Sequence, residues 1–243
     1  MTRRRWIADE VSANRAALVG AHAEHLVRVL RARVGQDFDI ATGETVRRGR
    51  IVSVSDGRVE FDLAEEVSAT PAVPITLLLS IFKFDRMEWA IEKCTELGVA
   101  RIIPAIARRT DPHLATASRK RVERWQRIAL QAAEQSRRAA PPEITEPLKL
   151  ADTLNLPAAL RVVLCESEEQ TRLSDVMKSV VTSNDTTGGI LLAVGPEGGW
   201  TDDELQRFQQ AKWTSASLGN TILRAETAAI AAAAVVASTL CTL

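Results

Sequence analysis

The 243-residue chain is poor in the residue types that mark several classes of protein. It contains no tyrosine, its aromatic residues amount to 4%, and it has only three cysteines and three histidines. So few aromatic side chains argue against an RNA-binding sheet that stacks bases on exposed rings. The three histidines have no pattern of neighbouring metal ligands, so we expect no metal site. The cysteines are odd in number and far apart, which is typical of a reducing cytoplasm rather than of a disulfide framework: Cys94, Cys165 and Cys241.

The chain also lacks net charge and any long hydrophobic run. Its 31 basic residues balance its 31 acidic residues, and 46% of its residues are hydrophobic, which excludes a disordered or fibrous protein. The longest apolar run, 228–237, is about half of the roughly 20 residues that cross a bilayer. The basic first residues are not followed by the apolar stretch of a signal peptide. We therefore expect a cytoplasmic protein without a membrane partner.

The zero net charge conceals an uneven distribution along the chain. Residues 1–50 hold ten arginines and six acids, residues 101–138 hold ten basic residues and three acids, and residues 139–206 hold four basic residues and twelve acids. Because a guanidinium pairs with phosphate through two hydrogen bonds, the arginine-rich segments favour a polyanionic partner. Solvated helix faces with intramolecular ion pairs explain the same composition equally well, and charge alone leaves both interpretations open.

The hydrophobic pattern predicts two domains that differ in secondary structure. Residues 1–70 contain short alternating runs separated by turn formers, which indicates a small β-rich domain. The proline-containing stretch 68–74 is the predicted linker. From residue 74 to 243, buried strands alternate with helices, which predicts an α/β layer with a parallel sheet. The predicted strands lie at 75–79, 101–107, 162–165, 190–194 and 216–218, and the predicted helices at 85–97, 118–135, 201–211 and 226–239.

Two loops of the second domain are candidates for a functional site. The glycine-rich loop 195–199 follows a buried strand and precedes a helix that Thr201 and Glu204 should cap. Ligands of parallel sheets bind beyond the carboxyl ends of the strands, although an ordinary glycine-rich connection would look the same. The second loop carries Arg224 and Glu226 just before an apolar helix. These charges indicate either catalysis or a helix-terminal ion pair. The sequence has neither a Walker A loop nor a G-x-G-x-x-G fingerprint.

Five segments, in this order, resemble one family. They are KFDRMEW at 83–89, KCTELGV at 93–99, AEQSRR at 133–138, GPEGG at 195–199 and LGNTILRAETA at 218–228. The family is the RsmE family of 16S ribosomal RNA uridine-N3 methyltransferases, within the SPOUT superfamily. The similarity extends over nearly the whole chain, and the last two segments are its most specific part.

The resemblance implies a PUA-like β-barrel RNA-binding domain at 1–70, and a SPOUT methyltransferase domain at 74–243 whose C-terminal part is tied in a trefoil knot. It implies a homodimer that uses S-adenosyl-L-methionine and acts on 16S rRNA of the small ribosomal subunit. The residues that this family would use to bind the cofactor are Leu164, Gly195, Pro196, Glu197, Gly198, Gly199, Leu218, Gly219, Ile222 and Leu223.

Methyl transfer to uridine N3 needs no metal, but it needs a group that favours loss of the N3 proton. We expect Arg224 to stabilise negative charge on the uracil, and Glu226 to orient Arg224 or to help the proton leave. We expect phosphate contacts from the arginines of the two basic segments, namely Arg3, Arg4, Arg5, Arg137 and Arg138.

Three other functions remain open at this point. A SPOUT methyltransferase acting on another RNA, such as tRNA, would share the cofactor site. A non-catalytic RNA-binding or ribosome-assembly factor would keep the fold without turnover, although the presence of Arg224 and Glu226 beside intact glycines argues against it. The periodicity by itself indicates only a nucleotide-binding α/β protein.

Overall fold

A computed structural model describes residues 5–43, 45–68, 72–183 and 188–240, with side chains omitted at 181–183. The chain divides into two compact units. Unit 1 consists of residues 1–71 and 133–141, and unit 2 consists of residues 72–132 and 142–243. The division after residue 71 falls within the predicted linker at 68–74, while the short segment 133–141 clusters with unit 1.

Unit 1 is built on a six-stranded, mainly antiparallel sheet. Its elements are β1 (Arg5–Ile7), β2 (Glu10–Ser12), β3 (Arg15–Val19), α1 (Ala21–Glu24) continued by a π-helical turn (His25–Val29), β4 (Asp37–Ala41), β5 (Val46–Ser55) and β6 (Arg58–Val67). The spatial order is β1-β4-β5-β6-β3-β2, in which only the β1–β4 pair is parallel. Alternate strand residues and the helical turn enclose a small core that contains Trp6, Leu18, Leu26, Ile40 and Phe61.

This sheet curls strongly, for two reasons that its sequence supplies. The edge strands β1 and β2 are separated by only Ala8 and Asp9, whose backbone N–H groups donate to Ala41 and Ala17 on opposite sides of the sheet. The long strands β5 and β6 also contain register shifts, one of them beside Gly49. A Cβ atom at Gly49 would lie 2.4 Å from Ile40 Cγ1, so glycine permits the close approach at the bend.

Unit 2 contains a seven-stranded sheet in which every pair of strands is parallel. The strands are β7 (Val73–Ser80), β8 (Val99–Ile106), β9 (Glu143–Ile144), β10 (Leu148–Lys149), β11 (Leu160–Leu164), β12 (Ile190–Val194) and β13 (Thr214–Ala216). Their order is β10-β8-β7-β12-β11-β13, with β9 also paired to β8. The sequence prediction of an α/β fold with a parallel sheet is confirmed.

Helices cover both faces of this sheet. They are α2 (Phe84–Glu96), α3 (Pro112–Ser118), α4 (Val122–Gln135), α5 (Leu150–Thr153), α6 (Leu173–Ser183), α7 (Asp202–Gln210) and α8 (Ala225–Leu240). Successive residues of the central strands point into different cores, as Leu191 and Leu192 of β12 do. Burial on both faces explains why these strands are continuous apolar runs rather than alternating ones.

Some local predictions need correction. The helix predicted at 118–135 is interrupted, because α3 ends at Ser118 and a 3₁₀ turn, Arg119–Arg121, precedes α4. Lys83, the N-cap residue of α2, forms no side-chain cap hydrogen bond, and the Glu88 carboxylate accepts hydrogen bonds from Arg124 at 2.6 and 2.8 Å. The cap predicted for α7 is confirmed: Thr201 and Glu204 exchange hydrogen bonds as a capping box. Among the described helices, none is both long enough and apolar enough to span a membrane.

Candidate active site

Unit 2 contains a cavity of about 820 Å³ at the carboxyl ends of three neighbouring strands. The loops that follow β11, β12 and β13 form most of its wall. Because parallel strands end at the same edge of a sheet, residues distant in the sequence meet there. Nine of the ten residues predicted to bind a cofactor line this cavity: Leu164, Gly195, Pro196, Glu197, Gly199, Leu218, Gly219, Ile222 and Leu223.

The glycine-rich loop after β12 has little room for side chains. Gly199 has a φ of +68°, and its N–H donates to Pro196 O at 2.8 Å, which closes a tight turn. A Cβ atom at Gly195 would lie 3.2 Å from the Trp200 indole ring. The backbone of this loop therefore forms the cavity wall directly, where its peptide groups are available to a ligand.

Gly198, the tenth predicted residue, does not line the cavity, and its carbonyl group holds the loop to a distant side chain. Its carbonyl oxygen accepts a hydrogen bond from Arg109 Nη1 at 2.6 Å, and the same nitrogen donates to Trp200 O at 3.1 Å. The Trp200 indole in turn donates to Leu164 O at 2.9 Å. Trp200 thus links the loop after β12 to the end of β11, and Arg109 holds the backbone of that loop at Gly198 and Trp200.

The loop after β13 is tied to the segment that precedes α6. Ser217 N donates to Thr171 O and Leu173 N donates to Ser217 O, each at 2.9 Å. Arg172 Nη2 adds a hydrogen bond of 2.7 Å to the side chain of Asn220. Beyond this attachment the loop opens to solvent, and Ile222, with 81% of its surface exposed, stands at the cavity rim.

The loop after β11 supplies acidic side chains to the cavity. Glu166, Glu168 and Glu169 all line it. Hydrogen bonds from the N–H groups of Thr171 and Gln170 lower the pKa of Glu168, so this carboxylate is ionised at neutral pH.

The cysteine environments differ from one another. Cys165 also lines the cavity, with its Sγ 3.1 Å from Ser167 Oγ, and it is partly exposed. Cys94 is a core thiol, and burial raises its pKa to about 12. Cys241 lies outside the described residues.

The two predicted catalytic residues occupy different environments. Arg224 is exposed and lines the cavity, whereas Glu226 is 5% exposed and does not line it. Among the described side chains, the ion-pair partner of Glu226 is Arg86 rather than Arg224. Arg86 Nε lies 3.7 Å from Glu226 Oε1, and Arg86 Nη1 lies 4.0 Å from Glu197 Oε1. The interpretation in which Arg224 pairs with Glu226 is therefore wrong.

The arginines predicted to bind phosphate lie in unit 1. Arg3 and Arg4 fall outside the described residues. Arg5 donates to the backbone oxygen of Arg137, and burial lowers its pKa, partly offset by the nearby Asp39. Burial also lowers the pKa of Arg138, to about 10, which leaves it charged at neutral pH.

Arg137 itself ends helix α4 in an unusual conformation. It is exposed and has a φ of +61°, a conformation normally taken by glycine. Arg137 N donates to Glu134 O and Arg138 N donates to Ala133 O, so the helix ends in a Schellman motif with arginine at the left-handed position.

Comparison with known proteins agrees with this architecture. Residues 69–237 match a family profile described as an RNA methyltransferase domain. The ribosomal RNA small subunit methyltransferase E of Synechocystis is 34% identical over 216 residues, covering 87% of this chain and 69% of the relative. The chain belongs to the methyltransferase E family. The resemblance to RsmE enzymes in the sequence is thereby confirmed, and the Rickettsia conorii member is 33% identical over 88% of the chain and 85% of its own length.

Solved structures support membership of the methyltransferase E family over the whole fold. The Neisseria gonorrhoeae methyltransferase E, bound to S-adenosyl methionine, superposes with a TM-score of 0.81 at 30% identity and covers 96% of each chain. A Legionella pneumophila putative methyltransferase with bound SAM gives a TM-score of 0.80 at 26% identity, covering 98% of each chain.

Sequence reasoning missed the residues that hold this methyltransferase site together. Arg86, Arg109 and Arg172 each reach a loop that is far away in the sequence. Arg86 lay in one of the family-like segments, which was the only available signal for it. Nothing in the pattern distinguished Arg109 from the neighbouring Arg108.

Proposed function

We propose that this methyltransferase transfers the methyl group of S-adenosyl-L-methionine to N3 of a uridine in the 16S rRNA of the small ribosomal subunit. The observation that carries the proposal is the single cavity wall formed by loops 195–199 and 218–224, at the carboxyl ends of β12 and β13. The Neisseria gonorrhoeae relative, with its bound S-adenosyl methionine, supports the choice of methyl donor.

The cavity suits such a donor in size and chemistry. Its volume lies within the range of about 300–1,000 Å³ that small-molecule sites occupy. Backbone groups at Gly195 and Leu218 are available to an adenosine moiety, and Leu164 and Leu223 offer apolar contact. The carboxylates of the β11 loop suit a ligand that carries positive charge at its sulfonium and ammonium groups.

The donor supplies an activated methyl group, so the protein must orient the base and manage one proton. Arg224 lines the cavity at the end of loop 218–224, a position that suits contact with the uracil. Its charge would favour the anionic form of the base, which lacks the N3 proton. Glu226 is buried and does not line the cavity, so it would act on the base through a neighbouring residue rather than by direct contact.

The RNA contacts, the domains and the topology belong to the same proposal. The curled sheet of unit 1 supports a PUA-like barrel as an RNA-binding domain at 1–70, and Arg3, Arg4, Arg5, Arg137 and Arg138 would contact phosphates. In unit 2, the chain leaves β12 and passes beyond β11 to form β13 at the edge of the sheet. The residue after β13, Ser217, then hydrogen-bonds to the earlier segment 171–173, which connects β11 to α6. That path supports a trefoil knot in a SPOUT domain at 74–243.

The remaining partners concern assembly and location. Helix α8 carries one charged residue, Glu226, and its outer face of Ile230, Ala231, Ala234 and Val235 is partly exposed. A second copy of the chain packing there would form the homodimer that the family resemblance implies, and sedimentation velocity would show it. Action on the small subunit places the enzyme in the cytoplasm.

The deciding experiment removes the gene and maps the modified nucleotides of ribosomal RNA by mass spectrometry. We expect one N3-methyluridine of 16S rRNA to disappear and to return when the wild-type gene is restored. A gene copy carrying Gly199→Val, which disfavours the +68° turn and crowds Glu166, is the matched control and should not restore it. An unchanged 16S rRNA accompanied by loss of a methyl group from tRNA would assign the enzyme to the alternative substrate.

A further inference from the structure

Arg86 and Arg224 both line the cavity, and they differ in their ion-pair contacts. Arg86 stands on α2 between Glu197 and Glu226, with 31% of its side chain exposed. Arg224 precedes α8 and is exposed, and no carboxylate of the described residues comes within 4.0 Å of its guanidinium. One cation therefore has a defined position before any ligand arrives, and the other does not.

Glu226 is placed to act on Arg86 rather than on a substrate. Its side chain is 6% exposed, Oε1 faces Arg86, and Oε2 is buried without a hydrogen-bond partner among the described residues. A buried carboxylate is costly unless a positive charge compensates it. The Arg86 guanidinium and the N-terminus of α8 provide that compensation.

We propose that Arg86 is a further catalytic residue, that its guanidinium contacts the uracil and stabilises the anion formed when N3 loses its proton, and that Glu226 and Glu197 position it. This inference rests on the proposed methyl transfer to uridine. A charge fixed before the reaction stabilises the developing charge without a reorganisation cost, which suits Arg86 to this task alongside Arg224.

The step balances without a further reactant. The N3–H bond breaks, its proton passes to water, and the electron pair remains on the uracil, shared among N3, O2 and O4. That pair then forms the bond from N3 to the methyl carbon, while the bond from the methyl carbon to sulfur breaks and its pair stays on sulfur. The products are a neutral methylated base and a neutral thioether.

The pH dependence follows from the groups that face Arg86. These are the carboxylates of Glu197 and Glu226, and Arg224 lines the same cavity. A cation lowers the pKa of the bound uridine N3–H, so its removal raises that pKa. In a variant without the Arg86 charge, the rate of methyl transfer therefore falls at neutral pH and recovers as the pH rises through the ionisation of uridine N3.

The test compares Arg86→Gln, Arg86→Lys and Glu226→Gln with the wild type, on unmethylated small subunits from the deletion strain. We expect Arg86→Gln to slow single-turnover transfer about 100-fold at neutral pH, with a deficit that shrinks at alkaline pH. Arg86→Lys keeps the charge and should recover part of the rate. We expect Glu226→Gln to slow methyl transfer less than Arg86→Gln does, because Glu226 acts only through the position of Arg86.

Calorimetry with S-adenosylhomocysteine supplies a measurement that does not depend on turnover. We expect Arg86→Gln to bind it within about threefold of the wild type, since the proposed contact is with the base. Arg124→Gln is the matched control: it breaks the ion pair between α4 and Glu88 of α2 and leaves the cavity lining intact. Its rate and affinity should stay at wild-type values.

The results separate this inference from the function on which it rests. Wild-type protein that neither binds S-adenosylhomocysteine nor methylates the subunit would refute the proposed function itself. With an active wild type, a deficit of Arg86→Gln that is the same at every pH would refute the inference. So would a tenfold loss of S-adenosylhomocysteine affinity, which would assign Arg86 to the methyl donor.

Discussion

Two kinds of arginine contact can be compared, one beside the cavity of unit 2 and one along the sheet of unit 1. In unit 2, Arg109 bonds to two backbone carbonyls of one loop and Arg86 faces a buried carboxylate, so both guanidiniums have defined positions. In unit 1, Arg15 and Arg50 pair with acids on adjacent strands where more than half of each guanidinium side chain is exposed. Water and salt screen the exposed pairs of Arg15 and Arg50, whereas the contacts of Arg109 and Arg86 determine the geometry of the loops around the cavity.

This difference teaches that a local surplus of arginine does not identify a nucleic-acid surface. Several arginines of the segment 1–50 have acidic partners within unit 1, and several arginines of 101–138 have acidic partners within unit 2. Ion pairs therefore explain part of the charge of both basic segments, and a polyanionic partner for the other arginines stays a prediction. The more informative property is whether a guanidinium has a fixed neighbour, and four substitutions test that property in order of decreasing effect.

Arg224→Ala should have the largest effect. Removing a cavity cation that forms no ion pair with the described residues should reduce methyl transfer about 1,000-fold or more, while leaving affinity for S-adenosylhomocysteine nearly intact. Single-turnover kinetics and calorimetry on the same preparation measure the two quantities. Retained turnover would exclude a catalytic role for Arg224 and leave Arg86 as the reacting cation.

Arg109→Ala should have the next largest effect, through the glycine-rich loop. Loss of its bonds to Gly198 and Trp200 frees the turn, and we expect affinity for S-adenosylhomocysteine to fall about tenfold. The neighbouring Arg108→Ala is the control, because Arg108 contacts Glu204 through its backbone N–H and not through its guanidinium. Equal losses in both variants would contradict a specific role for Arg109.

Arg137→Glu should weaken binding to unmethylated small subunits several-fold and lower the salt dependence of that binding by about one phosphate contact. Arg137→Gly is the matched backbone control, since glycine accepts the φ of +61° and removes only the side chain. Its affinity should lie between those of the wild type and the charge reversal. Filter binding at several salt concentrations measures all three, and identical salt slopes would remove Arg137 from the RNA surface.

Arg15→Ala should have the smallest effect. Arg15 and Asp62 expose 64% and 55% of their side chains, so the pair should contribute no more than about 0.5 kcal/mol to the free energy of unfolding. Urea denaturation measures the difference. A larger loss would show that ion pairs of the curled sheet contribute to its fold, and would weaken the contrast between the two units.

Much of unit 2 could be predicted from the sequence because its strands are buried on both faces. Runs such as 190–194 are short, continuous and apolar, as a doubly buried strand requires, and the strand bounds found there agree with the prediction. In unit 1, strands as short as β1 and β2, three residues each, carry too little periodicity to be recognised.

The parts of the candidate site that contain a local sequence motif could be predicted. The parts that depend on contacts between distant residues could not. The glycines of 195–199 and the segment 218–224 stood out, because tight turns and charge before an apolar helix are local signals. The partnership of Arg86 with Glu226 joins residues 140 positions apart, and no local pattern indicates which arginine faces a buried acid.

The first two strands, β1 and β2, cover the outer edges of β4 and β3 in the sheet of unit 1. A single short segment, β1 and β2 with the two residues between them, supplies both outermost strands and bonds to Ala41 on one side and Ala17 on the other. An exposed sheet border readily recruits a strand from another molecule and starts aggregation. In this unit one stretch of backbone covers the outer edges of both β4 and β3, so trimming the amino terminus past residue 12 would expose two self-association sites at once.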